Sequence, residues 1–477
     1  MNKSLKINAF LNSLKNVLNV LFPLITFPYV SRVLDVSAIG KYNFANSIVS
    51  YFTLMAGLGI STYAIREGAR LRDDRKLEEK FASQIFSINI WSTIFSYVLM
   101  FVLILLFQKL HSYWLVICIF SLQIFFTTIG TEWIYSIHEE YMYITFRSIV
   151  FKILSLVLLF LFVKKSNDYL IYAGITVFAT VGSNILNFFH AKKFCNIRLI
   201  TDMNLKIHLK PIFIIFASNI AIMIYVNSDI TILGLIQGNY SVGIYSVSVK
   251  VYNVVKTVLS AVLIVTIPRL AMLYGKNRYG EFRQILSKVF NALVLLTAPA
   301  VVGLFSLSRE VVLLIAGKNY VGATGSLRIL SFALLFSIFS WIYSECVLIP
   351  AKMEKVVLIA TVISATMNVV LNFIFIEKFG VNAAAFSTVV SEALMLLITW
   401  SKGKKIVSID NVVKNSRDIF LGCLGIMLVC QFIKKFELNY FVTLPVCILF
   451  SCMVYFGILL IMKNSFIYSY IYKLKKK

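Results

Sequence analysis

Charged side chains stand inside otherwise apolar runs of this sequence. Lys15, Glu132, Lys152, Asp229, Lys250, Lys256, Arg328, Glu345 and Glu392 fall within such runs, and Arg32, Lys41, Arg66 and Arg147 lie near their ends. At bilayer depth an ionisable group is costly unless it faces a wet cavity or a partner. So many of them call for a cavity. Lys256 lies about 14 residues into its run, or ~21 Å along a helix, near the middle of a membrane. Asp229 sits in the polar notch Asn227-Ser228-Asp229. Because Lys and Arg outnumber the acids, the lining suits an anionic ligand such as a diphosphate, which they bind as point charges or bidentate forks. Lys256, Lys250, Arg32, Lys15, Arg147 and Lys152 are the candidate binding cations. Asp229, Glu132, Glu345 and Glu392 are candidates for structural pairing or for coupling to H+ or Na+. A plainer reading competes: span-end cations snorkel to head groups, and acids pair locally, for instance Glu132 with Arg147. Polar residues also recur at helical spacing. Asn43, Asn46 and Ser50, and likewise Lys250, Asn253 and Thr257, stand at i, i+3, i+7, one stripe per helix.

The elements that must position these groups are membrane helices. Of 477 residues 59% are hydrophobic and 14% charged, against roughly 25% charged in soluble domains, and the mean hydropathy is +0.85. Apolar blocks of about 18 to 25 residues recur, each long enough to cross a ~30 Å hydrocarbon layer. The expected fold is an all-α polytopic membrane protein with about fourteen spans, near 9–31, 42–65, 82–107, 112–136, 144–163, 168–190, 211–236, 242–268, 285–307, 326–349, 356–376, 381–400, 418–433 and 439–462. The first block contains Lys15, Asn16, Asn19, Pro23 and Pro28, lacks the features of a cleaved secretory signal, and reads as a retained span. Its two prolines, and Pro299 later, are candidate kinks.

With both termini on one side, that side carries 31 of the 46 Lys and Arg and the opposite side 10. The bias puts both termini in the cytoplasm of a cell-membrane protein. It also explains the net charge of +25 without nucleic acid. The basic break at 191–210 separates a first lobe, 1–190 with spans 1–6, from a second, 211–400 with spans 7–12; residues 401–477 add spans 13–14 and a basic cytoplasmic tail. An internal echo supports doubling: Trp133-Ile134-Tyr135-Ser136 recurs at Trp341-Ile342-Tyr343-Ser344, and Ile39-Gly40-Lys41-Tyr42 resembles Val242-Gly243-Ile244-Tyr245. Six-span halves of equal orientation suit a transporter that alternates access to a central site. Seven Cys form no CxxC pair, four His have no metal-ligand spacing, and no phosphate-binding or dinucleotide fingerprint occurs. No catalytic residue, metal or organic cofactor is expected.

The segments LFPLITFPYVSRVL (21–34), IGKYNFANSIVSYF (39–52), GLGISTYAIREGARLRDD (57–74) and GTEWIYSIHEEYMYITFRSIVFK (130–152) resemble the Wzx-type polysaccharide repeat-unit flippases. Those form the polysaccharide transporter family of the multidrug/oligosaccharidyl-lipid/polysaccharide (MOP) exporter superfamily, which includes the MATE-like transporters. The resemblance implies a full-length match with two six-helix lobes, a cationic cavity, and transfer of undecaprenyl-diphosphate-linked glycan from the cytoplasmic to the outer leaflet. Its matching positions are the Arg32 end of span one, the Ile65-Arg66-Glu67 turn, Glu132-Trp133, the Arg147/Lys152 pair and Asp229. The expected function is thus a transporter and not an enzyme, serving capsule, O-antigen, teichoic-acid or related polymers. Membrane lipid and polysaccharide polymerase machinery are the expected partners. Two alternatives stand beside it. A drug/cation antiporter of the same fold would want an acid-dominated cavity, and a membrane-embedded polymerase or glycosyltransferase would want a large outer loop or an acidic catalytic cluster.

Overall fold

In hydrocarbon a backbone must satisfy its own polar groups, and among the described residues every regular element is a helix. The computed structural model describes residues 22–407, 416–464 and Tyr468. The chain groups into two compact units, Met1–Gly243 and Ile244–Lys477. The first contains α1 (22–33), α2 (Val36–Gly57), α3 (Ile60–Gly68), α4 (Arg75–Leu106), α5 (Gln108–His111), α6 (Trp114–Gly130), α7 (Glu132–Ile137), α8 (Tyr141–Phe162), α9 (Tyr169–Val181), α10 (Asn184–Ala191), α11 (Leu205–Gln237) and the first turn of α12 (Asn239–Gly275). The second holds the rest of α12, then α13 (Tyr279–Ser306), α14 (Ser308–Ile315), α15 (Ala323–Trp341), a π-helical stretch Ile342–Leu348, α16 (Glu354–Gly403), α17 (Ser416–Lys434) and α18 (Tyr440–Ile461).

Eleven described helical stretches are long and apolar enough to cross a membrane, and α6 is a shorter apolar helix. The 50 residues of α16 exceed one crossing, and Gly380 (φ 56°, ψ −132°) breaks it in two. Glycine takes that conformation without a steric penalty. The α12 helix carries Pro268 and α13 carries Pro299 within otherwise continuous helix. The first expected span is described only from residue 22, and Lys15 lies outside the described residues.

Both copies of the Trp-Ile-Tyr-Ser echo fall where a spanning helix loses its regular form. The first follows Thr131, whose φ of 39° separates α6 from α7, and the second runs into the π-helical stretch. Each is buried in its own unit. Ile134 and Tyr135 join a core with Ile60, Phe81, Ile85 and Ala191, while Ile342 and Tyr343 join one with Leu263, Phe282 and Leu286. The second echo has a packing reason. A Cβ on Gly40 would stand 1.7 Å from the carbonyl oxygen of Asn239, and one on Gly243 would stand 2.2 Å from that of Val36. The first turns of α2 and α12 therefore cross in backbone contact, which small residues permit.

The segment after α10 is tied to α4 by a matched pair of periods. Glu79, Ser83 and Ser87 stand four apart, about 6 Å per step along a helix, while alternate residues of an extended chain advance about 6.6 Å. The amides of Asn196, Arg198 and Ile200 accordingly donate to Glu79 Oε1 (3.1 Å), Ser83 Oγ (3.1 Å) and Ser87 Oγ (2.9 Å). A second tie is a buried relay. Tyr63 Oη donates to His208 Nδ1 (2.8 Å), His208 Nε2 to Gln84 Oε1 (3.1 Å), and Gln84 Nε2 to the Asp202 carbonyl (3.2 Å). Burial in this region pushes the Cys195 thiol up to about 12, which leaves it an unreactive thiol.

Gly40→Ala is expected to destabilise the protein by about 3 kcal/mol through overpacking, seen as a large fall in Tm in detergent. Gly57→Ala, which has no atom within 4 Å of its new methyl group, should leave Tm nearly unchanged. Residue-resolved hydrogen exchange should find the amides of Arg198 and Ile200 protected, with Ser83→Ala and Ser87→Ala each releasing the amide it anchors; fast exchange of both amides in the unaltered protein would refute the tie.

Candidate functional site

Lys256 and Glu392, two of the candidate residues, meet in the second unit. The α12 helix places Tyr252 and Lys256 one turn apart on one face, and the half of α16 beyond Gly380 supplies Glu392. Lys256 Nζ donates to Glu392 Oε1 (3.0 Å) and to Tyr252 Oη (3.3 Å), while Tyr252 Oη donates to the same carboxylate oxygen (3.2 Å). The ammonium also lies 5.4 Å from the centre of the Tyr252 ring. The Glu392 side chain is 5% exposed and that of Lys256 is 29% exposed. An ammonium has three N–H donors, and this cluster engages two of them. The cation is thus neutralised from one side while keeping capacity for a third acceptor. Nearby on α16, the hydroxyls of Ser387 and Ser391 are buried with no hydrogen-bond partner.

In the first unit Arg147 is buried, its Nη1 donating to the Ser183 carbonyl (3.3 Å) where α9 gives way to α10. Its guanidinium lies 5.7 Å from the centre of the Tyr143 ring and is attracted by the Glu132 carboxylate. These contacts are those of a structural cation at a helix end. Asp229 is buried on α11 within two residues of Thr231, whose hydroxyl donates to Ser47 (3.2 Å) and is 3.3 Å from Tyr51 Oη. Ser47 and Tyr51 are one turn apart on α2, so the notch faces a matching polar strip.

Arg32 is exposed, with Nη1 bonded to the Pro28 carbonyl of its own helix (2.5 Å). Lys152 and Lys250 are half-buried, and Glu345 is half-buried in the π-helical stretch. Much of the polar striping is satisfied within its own helix: Asn43 donates to the Ile39 carbonyl (2.9 Å), Ser50 to Asn46 (2.7 Å) and Thr257 to Asn253 (2.8 Å). Such bonding back to the carbonyl four residues earlier is common for these side chains and needs no water. Sequence reasoning missed Tyr252, although its position four residues before Lys256 was a usable signal. It also missed the pair between His138 Nε2 and the buried Glu78 (2.7 Å), which no spacing announces.

Outside the spans, Asp168 accepts the amides of Lys164 (2.9 Å) and Lys165 (2.7 Å), which hold its carboxyl below its ordinary value. The second unit also has an open apolar cleft of about 390 Å³, lined by Val255, Leu295, Pro299, Gly303, Ile448 and Tyr455 among others. Val255 adjoins Lys256 in sequence, so α12 carries apolar and charged functions side by side.

A model of the family described as "Polysaccharide biosynthesis protein" matches residues 5–274. An Escherichia coli (strain K12) protein named as a candidate O-antigen transporter is 26% identical over 271 residues, 54% of this chain and 63% of that protein. The capsular polysaccharide biosynthesis protein CapF of Staphylococcus aureus is 26% identical over 398 residues, 80% of this chain and 95% of CapF. Among solved structures, the lipid II flippase MurJ in an inward closed conformation superposes with a TM-score of 0.74. It is 17% identical, over 97% of this chain and 99% of MurJ. The chain therefore has the same fold as that protein over the region they share.

Removing one partner of a mostly buried ion pair leaves the other uncompensated. With Lys256 partly exposed, Glu392→Gln is expected to cost about 1–3 kcal/mol. The double change Glu392→Gln with Lys256→Met should cost less than the sum of the two single changes. Strict additivity in thermal unfolding would show that the pair carries no coupling.

Proposed function

This chain belongs to the polysaccharide biosynthesis protein family, and from that footing we propose that it is a flippase for lipid-linked oligosaccharides. The observation that carries the reading is the family match, seated on a helical fold that runs the length of a solved flippase. The substrate is an undecaprenyl-diphosphate-linked repeat unit for a surface polymer such as O-antigen or capsule. It moves from the cytoplasmic to the outer leaflet of the cell membrane, with the chain's termini in the cytoplasm, as the distribution of Lys and Arg favours.

Moving the substrate sets three physical tasks. The diphosphate needs a cation inside the membrane, and Lys256 has an open donor and a partly exposed side chain. The glycan needs water, so the cavity alternates between the two sides. The polyprenyl chain stays among apolar groups, and the apolar cleft on α12, α13 and α18 is of that character. No bond is made or broken, so no catalytic group is required. Asp229, Glu132, Glu345 and Glu392 are the candidates for coupling the cycle to H+ or Na+, and the product is passed to polysaccharide polymerase machinery. A drug/cation antiporter is less well matched, because Lys and Arg prevail among the charges within the apolar runs.

Cells depleted of the protein should accumulate polyprenyl-diphosphate oligosaccharide that an external probe cannot reach. Lys256→Glu should reproduce that block while inserting normally. Completed units that reach the outer leaflet and remain unpolymerised would overturn the flippase in favour of an enzyme. Normal polymer from well-expressed Lys256→Glu cells would remove Lys256 from the site.

A further inference from the structure

An apolar cleft of about 400 Å³ lies in the first unit between α4 and α11. Ile88 and Trp91 line it from α4, and Leu205, Leu209, Phe213 and Phe216 from α11. The bond between His208 and Gln84 (3.1 Å) holds the two helices together at its edge, beside Leu209 and one turn before Ile88. Trp91, Leu205 and Phe213 are exposed, so the cleft opens on the lipid-facing side. From Leu205 to Phe216 the helix rises about 16 Å, the depth of one leaflet of a ~30 Å hydrocarbon layer. The end at which the cleft begins is basic. Lys206 and Lys210 each follow a lining residue, Lys80 shares a face of α4 with Gln84 and Ile88, and all three are exposed. None of them has an ion-pair partner among the described residues. Between 196 and 210, and from Lys80 to the end of α4, the sequence holds one carboxylate, Asp202.

We propose that this cleft holds an acyl chain of a phospholipid whose headgroup is net negative, with its phosphate against Lys206 and Lys210. The wall suits a hydrocarbon chain. The one hydroxyl among the described lining residues, that of Ser92, is already bonded to the Ala56 carbonyl (2.5 Å), so the cleft offers an incoming ligand no free hydroxyl. Selectivity comes from the rim. Three unpaired cations outweigh Asp202 and attract an anionic headgroup. A zwitterionic headgroup would bring its own ammonium to a rim that is already positive. The distribution of Lys and Arg puts this end of the unit on the cytoplasmic side, so the lipid belongs to the inner leaflet. Nothing requires that lipid to be transported, and the site stands apart from the flippase reading.

The full chain, purified in detergent, would be titrated with phosphatidylglycerol and with phosphatidylethanolamine, and bound lipid counted by native mass spectrometry. The first phosphatidylglycerol is expected to bind at least fivefold more tightly than phosphatidylethanolamine. Lys206→Gln combined with Lys210→Gln should lower phosphatidylglycerol to the affinity of phosphatidylethanolamine, with unchanged Tm in lipid-free detergent because both side chains are exposed. Leu205→Ser combined with Phe213→Ser, also at exposed positions, should weaken both lipids at least threefold while leaving the preference in place. Equal binding of the two lipids by the unaltered protein, or a preference that survives the lysine changes, would overturn the headgroup contact and with it the proposal. Lipid binding indifferent to the Leu205 and Phe213 changes would put the chain outside the cleft and overturn it equally.

Discussion

The constraint on which this structure depends is that polar groups inside a membrane must find partners within the protein. Its polar side chains answer in three ways. Hydroxyls and amides such as Asn43, Ser50 and Thr257 bond back to their own helices. Polar groups also bridge helices, as in the relay from Tyr63 through His208 to Gln84. Full charges are neutralised by neighbours, as Lys256 is by Glu392 and as Arg147 is by a helix-end carbonyl and the field of Glu132. Lys256, Glu392, Arg147 and Glu132, which look surplus in the sequence, are accounted for by this rule. A lone intramembrane cation is thus poor evidence for a ligand until its partners are known.

Irregular helix is confined to places with a packing reason. The αL residue Thr131 and the π-helical stretch Ile342–Leu348 stand at equivalent points of the two units, each followed by buried aromatic packing. A π-helical turn leaves its carbonyls less regularly satisfied than an α-helical one, which is why such turns recur at working positions. The Gly40 and Gly243 crossing shows the same economy. Two helix starts approach until their backbones touch, and the sequence keeps glycine at both points of contact.

How much of this was legible beforehand depends on the range of the signal. Span positions could be read because lipid enforces a long apolar run, and the described helices lie beneath them. The Trp-Ile-Tyr-Ser echo itself could be read directly, and Ile134, Tyr135, Ile342 and Tyr343 of its two copies are buried in their own units. The meeting of Lys256 and Glu392 was not, since 136 residues separate them and only the break at Gly380 sets the second half of α16 on its course. Arg147 carried a partial signal, because Glu132 lies on the preceding helix. The pinning of 196–200 on α4 was invisible for a different reason: its acceptors are a glutamate and two ordinary serines, and the match of a four-residue to a two-residue period emerges only when both segments are placed.

The pairing of Lys256 bears on what a flippase requires of its cations. A fully buried, uncompensated lysine would either lose its proton or hold a diphosphate too firmly to release it, because attraction between opposite charges rises steeply as the local dielectric falls. Transport needs binding strong enough to load and weak enough to unload. A carboxylate that already satisfies part of the ammonium offsets some of that attraction, and Tyr252 holds the arrangement by bonding to both partners. Under the proposed flippase function, an incoming diphosphate gains only the difference between its own contact and the share of the contact with Glu392 that it displaces. On this reading Glu392 sets how firmly Lys256 grips, so an acid in a cationic site is part of the recognition and need not argue against it.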